Sequence, residues 1–223
     1  MQLEPGLAID AQALLFDMDG TLIDSRVVVE KIWKRWCDEV GLDWDYVLPR
    51  LHGVRMYDSV KMFTPKGMDV DAVYQRLYRE EVEDVDGIVP IPGALELLAT
   101  LPPDRWTIVT SADTVLAKAR LGAAGIVPPP LMVTGEIVTD GKPHPEGYLL
   151  GARRLGAPAS DCLVFEDAKA GIDAGRAAGA RVIAIADAHS HEVPDGVERI
   201  SDLTALRFDG LHEGKVRLRV VAA

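Results

Sequence analysis

Five short runs, Ala13 to Phe16, Trp106 to Thr110, Leu131 to Thr134, Cys162 to Phe165 and Arg181 to Ala186, are largely apolar and alternate with longer stretches of helical character. Short strands that are apolar throughout cannot keep a wet face, so their sheet must be covered on both sides. Strands separated by helices achieve this as a parallel sheet. The intervening stretches, Gly93 to Thr100, Asp113 to Gly125, Glu146 to Gly156 and Ala170 to Gly179, are rich in Ala and Leu, and the last three end on Gly, as helices do. The expected class is α/β.

One segment breaks the rhythm. Between the first of these strands and the next, roughly Ser25 to Val89, lie three of the four tryptophans. Val29, Ile32, Trp33, Trp36 and Val40 recur at three- and four-residue steps, which predicts an amphipathic helix from Asp24 or Ser25 to Gly41. Pro90 and Pro92 in IVPIPG, 88 to 93, end any helix before the core resumes. The expected organisation is a core of residues 1–24 and 90–223 with a small helical cap, 25–89, inserted after the first strand. There is no internal repeat or low-complexity stretch.

Composition narrows the function. The formal net charge is −11, from 24 Lys and Arg against 35 Asp and Glu, which opposes binding to nucleic acid and to anionic membranes. No apolar run approaches the roughly 20 residues of a membrane span, and MQLEPGLAID lacks the features of a secretion signal, so the cytoplasm is the expected location. Cys37 and Cys162, far apart, are expected to be reduced thiols. No obligate protein partner is implied. A phosphorylated ligand would need local reversal of the negative field, by a metal ion and a few placed cations.

The strand at Ala13 runs into FDMDGTLIDS, 16 to 25, which puts Asp17 and Asp19 at the carboxyl end of a central strand, where open α/β sheets bind ligands. Gly20 lets the backbone turn sharply and offer N–H groups to an anion. Taken alone, such a string could be a helix-capping turn with solvated aspartates. Paired carboxyl groups also suit phosphoryl transfer: one attacks phosphorus, and the other gives a proton to the leaving oxygen and later takes one from water. Burial and neighbouring negative charge favour the protonated form that an acid must start from.

Three further stations reach the same edge. Thr110 and Ser111 end WTIVTS, where a hydroxyl and an N–H can hold a phosphate oxygen, though alone they would read as a helix start before Asp113. Lys142 in GKPHPEGY, 141 to 148, can neutralise phosphate and nucleophile, with Pro143 and Pro145 stiffening its loop. Glu166 and Asp167 close LVFED, and acidic neighbours beside two aspartates repel strongly unless a cation sits among them.

In that order, from about residue 13 to 186, the stations resemble the haloacid dehalogenase superfamily, with its DxDGT, its Thr or Ser after the second core strand, its Lys before Pro and its closing acidic pair. EDAKAGIDAGRAAG, 166 to 179, resembles the family's last loop and helix in detail. The resemblance implies a Rossmann-like core and Mg2+ as cofactor. It makes Asp17 nucleophile and metal ligand, Asp19 acid/base and backbone-carbonyl ligand, Lys142 the catalytic cation, and Asp167 the remaining carboxylate ligand. Glu166 falls in the shell behind the metal, and Gly20, Thr110 and Ser111 are placed on the phosphate. An insertion directly after the first motif resembles the helical-cap class. LHGVRMYDSVKMF, 51 to 63, with TSADTVLAKARL and KPHPEGYLLGARRLG, is similar to phosphatases of sugar and polyol phosphates, which nominates His52 and Arg55 for substrate contact. Both could instead brace cap helices. Ala112 stands where many relatives have Gly.

The expected activity is Mg2+-dependent hydrolysis of a small phosphorylated metabolite through an aspartyl phosphate. A β-phosphoglucomutase-like mutase is the first alternative; such enzymes carry a His at the cap hinge, where this chain has Val27, Val28 and Val29 and its first His is His52. Dehalogenases do not need the second Asp or the acidic pair. Phosphonate hydrolysis needs a Schiff-base Lys from the cap, and Lys31, Lys34, Lys61 and Lys66 read more simply as surface charges. A non-catalytic protein that binds a phosphorylated metabolite would be expected to have lost a catalytic carboxylate, and all four stations are intact.

Overall fold

The computed structural model describes residues 1–186 and 193–222. In chain order its strands and helices are β1 (Ala8–Ala11), β2 (Ala13–Phe16), β3 (Ile23–Asp24), α1 (Arg26–Val40), α2 (Trp44–Val47), α3 (Met56–Phe63), α4 (Val70–Glu83), β4 (Val89–Pro90), α5 (Ala94–Thr100), β5 (Trp106–Ile108), α6 (Thr114–Ala123), α7 (Glu146–Arg154), β6 (Cys162–Glu166), α8 (Lys169–Ala177), β7 (Arg181–Ile185), β8 (Glu198–Ile200), β9 (Leu206–His212) and β10 (Lys215–Val220). A parallel sheet in the order β5-β2-β6-β7-β8 forms the centre. The α/β, Rossmann-like expectation holds.

Alternation along the strands explains why both faces are covered. Leu14 and Phe16 of β2, with Leu163 and Phe165 of β6, enter one apolar core. Ala13, Leu15, Cys162 and Val164 enter a second, packed under α7 and α8. Successive side chains of a strand point to opposite faces, so a fully apolar strand serves two cores at once. Phe16 and Phe165 stack at 4.7 Å across the strand pair.

The break in rhythm after β2 is helical. Helices α1 to α4 leave and return through β3 and β4, which pair antiparallel with Asp24 opposite Val89 and Ile23 opposite Pro90. Helix α1 spans the predicted segment and stops at Gly41, whose φ of 74° is left-handed. Its Ile32, Trp33 and Trp36 are buried in the first core.

Two expectations need correction. Leu131 to Thr134 is not a strand: Val133 makes one parallel bridge to Val109, and the chain then turns at Gly135–Ile137. Three prolines, Pro128 to Pro130, lead into it, so the segment arrives without the run of N–H donors that a ladder requires. The strand at Ala13 is also not the first. β1 precedes it and joins β10 and β9 in a separate antiparallel sheet, a second layer on the first core through Ile9, Leu206, Val216 and Leu218. Among the described residues no helix is long and apolar enough to cross a membrane, and Cys37 and Cys162 are free and buried.

Candidate active site

β2 lies between β5 and β6, and parallel pairing puts all three carboxyl ends on one edge. The ladder continues one step past the strands: Asp17 N–H donates to Phe165 O at 2.9 Å, and Val109 N–H to Phe16 O at 2.8 Å. Asp17, Thr110 and Asp167 thereby follow three adjacent strands. After Asp17 the chain folds back through a tight loop, with the N–H groups of Leu22 and Ile23 on Met18 O. Gly20, at φ 83°, is required twice over: its conformation is left-handed, and a Cβ there would lie 2.0 Å from Asp167 Oδ2.

Asp17 is buried and pairs through Oδ1 with the Lys142 ammonium, which also reaches Glu166 Oε1 at 2.6 Å. Lys142 comes from the loop before α7. Burial alone would lower its pKa, but the two carboxylates overcome this and raise it. Glu166 is saturated. Its Oε1 accepts from Lys142 and from the Tyr148 hydroxyl at 2.7 Å, and its Oε2 from the N–H groups of Asp167 and Ala168 at 3.0 and 3.2 Å. All four lone-pair sites of that carboxylate are occupied.

The donor set fits a divalent cation. Asp17, Glu166 and Asp167 can each bring a carboxylate oxygen within 4.8 Å of the others, and Asp167 Oδ1 is buried without a hydrogen-bond partner. Burial first, and then the charge of Glu166, push the Asp17 carboxyl up to about 8 against the pull of Lys142. The Asp167 carboxyl is raised by burial and then by Glu166 and Asp17. One lysine does not balance three carboxyl groups, and the missing charge suits a hard cation with oxygen ligands. With Glu166 saturated, Asp17 and Asp167 are the side chains with ligand capacity left.

Asp19 stands two residues on, its Oδ1 accepting from Ser25 Oγ at 2.6 Å and from Arg120 at 2.8 Å. Thr110 and Ser111 reach the same pocket. Thr110 Oγ1 accepts from Ala112 N–H at 3.0 Å, so Ala112 is accommodated in the turn, and Ser111 Oγ donates to Gly53 O at 3.1 Å. His52 lines this pocket as well. Arg55 does not. It immediately precedes α3, pairs with Asp58 at 3.0 Å and donates to Thr139 O at 3.2 Å, a brace between the helical insert and the Lys142 loop.

Arg120 and Glu81 were not foreseen. Arg120, at the end of α6, is 5% exposed and spans from Asp19 to Glu81, while Glu81 Oε1 accepts from the Trp33 indole at 2.8 Å. A basic residue in a last helical turn ordinarily serves the helix dipole. The signal available was periodicity: Val73, Leu77 and Glu81 form one stripe, as do Leu116, Ala117, Arg120 and Leu121, and all are buried. Tyr148, on Glu166, sits on a similar stripe of α7 with Gly151 and Ala152, all buried.

Comparison with known proteins places the chain in a family. The model of the haloacid dehalogenase-like hydrolases matches residues 11–179. Hexitol phosphatase A of Escherichia coli (strain K12) is 42% identical over 78% of this chain and 82% of its own length. Glycerol-1-phosphate phosphohydrolase 2 of Saccharomyces cerevisiae is 35% identical, over 81% and 76%. A β-phosphoglucomutase from Clostridium difficile, 22% identical, superposes with a TM-score of 0.74 over 89% of this chain and 94% of that one, a likeness of fold. The chain belongs to the haloacid dehalogenase-like hydrolase family and, like the curated relatives it resembles, is a phosphatase.

Proposed function

We propose that the protein hydrolyses the monoester of a small sugar or polyol phosphate, with Mg2+ held by Asp17, Asp167 and the backbone carbonyl of Asp19, and with an aspartyl phosphate on Asp17 as intermediate. The observation that carries this reading is Asp17 at the end of the central strand, gripped by Lys142 among carboxylates that call for a cation. The cation supplies charge that keeps Asp17 anionic and the phosphoryl oxygens neutralised. The names of the curated relatives support the substrate class.

Asp17 attacks phosphorus as the ester oxygen departs. Asp19 gives that oxygen its proton, and the freed carboxylate then takes a proton from the water that attacks the acyl phosphate, which regenerates Asp17 and releases phosphate. Lys142 holds Asp17 in line, and Glu166 holds Lys142. Gly20, Thr110 and Ser111 form the cradle for the phosphoryl oxygens. Helices α1 to α4 are the cap, covering residues 25–89, that excludes water from the first step. His52 contacts the substrate from the cap, whereas Arg55 braces it. The net charge of −11 supports a role without nucleic acid or anionic membrane as partner; a cytoplasmic location and no obligate protein partner complete the proposal.

The test is phosphate release from a panel of sugar, polyol and nucleotide monophosphates, with Mg2+ and with chelator. Acid quenching should trap an acyl phosphate on the peptide containing Asp17. Isomerised sugar phosphate in place of free phosphate would mark a mutase instead.

A further inference from the structure

On the reading that this is a phosphatase of small monoesters, we propose that Ser59, Glu81 and Arg120 form the subsite for the alcohol half of the ester, and that this alcohol is an uncharged polyol. All three line the pocket that Asp17 and Asp19 line, Ser59 and Glu81 from the helical insert and Arg120 from α6. Ser59 is 2% exposed, and its buried Oγ has no hydrogen-bond partner among the described residues. A buried helical serine ordinarily bonds back to the carbonyl four residues earlier. Here Arg55 O takes the Ser59 backbone N–H, and the hydroxyl stays uncommitted. Arg120 Nε is buried and unpartnered too, although its terminal nitrogens bind Asp19 and Glu81. Buried polar atoms without partners are few in native proteins, and two on one pocket wall point to a ligand that completes them.

The pattern of donors and acceptors identifies the ligand. Nε–H can only donate, Ser59 can do either, and the Glu81 carboxylate, fixed by Trp33 and Arg120, accepts. Hydroxyl groups both donate and accept, so neighbouring hydroxyls on a carbon chain satisfy such a wall. A second phosphate or carboxylate does not. The charge of Arg120 is already committed between Asp19 and Glu81, and His52 has Glu30 at 3.9 Å. Trp33, Leu51 and Met56 line the same pocket and provide apolar surface for the C–H faces of a polyol.

The experiment compares kcat/KM for a hexitol monophosphate, glycerol phosphate, phenyl phosphate and a hexose bisphosphate in wild type, Ser59→Ala and Glu81→Gln. Phenol offers no neighbouring hydroxyls, so the ratio of polyol to phenyl ester should fall about three- to tenfold in Ser59→Ala, the value of one neutral hydrogen bond. Glu81→Gln should lower it further. The wild type should favour hexitol monophosphate over bisphosphate by about tenfold or more. Equal losses on polyol and phenyl esters, an unchanged ratio, or equal use of the bisphosphate would overturn the subsite. Should Glu81→Gln fail to fold, Ser59→Ala decides alone, since no side-chain hydrogen bond is lost with it. A wild type that hydrolyses none of these esters with Mg2+ would refute the sugar- or polyol-phosphate reading, and the subsite with it.

Discussion

At the scale of single residues, the site is governed by a shortage of positive charge. Asp17 and Glu166 share the one ammonium of Lys142, with Asp167 close by, and the Asp17 carboxyl is pushed up to about 8, chiefly by burial. A carboxyl group raised in the folded state stabilises the fold in its protonated form. That contribution is complete below its ordinary value of 3.8 and is lost as pH rises through about 8. A bound Mg2+ competes with this proton, so the rise in melting temperature on adding Mg2+ should be larger at pH 8 than at pH 5.5. Thermal melts in chelator and in Mg2+ at both pH values check this, and equal shifts would count against Asp17 as a ligand. Asp17→Asn keeps volume and shape but removes the anion. Turnover should drop by about a thousandfold or more, with the far-UV spectrum unchanged.

At the scale of elements, α8 has its small residues where it meets the sheet. A Cβ on Gly175 would lie 2.9 Å from Val182 Cγ2, and one on Gly171 would lie 1.5 Å from Glu166 Oε1. On an exposed helix, Gly to Ala stabilises by about 1 kcal/mol. Gly171→Ala should do the opposite, destabilising by roughly 1 to 3 kcal/mol as overpacking does, because the new methyl group displaces the carboxylate that holds Lys142. Urea unfolding measures the first effect. Activity should fall more than stability alone accounts for, and a variant of wild-type stability and activity would show that Glu166 has room to move.

At the scale of the whole molecule, the C-terminal hairpin stands apart from the chemistry and is nevertheless part of the core. β9 and β10 follow every candidate catalytic residue, yet Leu206, Val216, Leu218 and Val220 are buried, and β10 is the partner of β1. At about 2 kcal/mol for each buried aliphatic side chain, these four match much of a domain's net stability. A chain ending at Asp202 should therefore be insoluble or melt at least 10 °C lower although its site is intact in sequence. Soluble yield and a thermal melt test it. The helical insert is tied to the core by polar links as well, Arg120 to Glu81, Tyr78 to Asp113 at 3.0 Å and Arg55 to Thr139.

The gathering of the candidate site's residues at one sheet edge was legible in the chain because each is local to the strand it follows. An aspartate at a strand end, a glycine beside it and an acidic pair closing another strand each follow from the strand they terminate, and parallel pairing carries them to one edge. The same locality made β2, β5, β6, β7 and helix α1 readable from apolar pattern alone. What is not local escaped. Leu131 to Thr134 had the composition of a strand but receives a single bridge, and the three-stranded sheet of β1, β9 and β10 depends on pairing Ala8 with Arg219 across almost the whole chain. Arg120 and Glu81 are far apart in sequence, and although each falls on the apolar stripe of its own helix, nothing local says that they pair. Folding two helical stripes against each other put both charges out of water, and a buried charge has to find a partner. The strand ends, with their carboxylates and glycine, were determined by sequence. Tertiary packing alone decided which charges face the pocket, because that depends on which helices meet and not on any one of them.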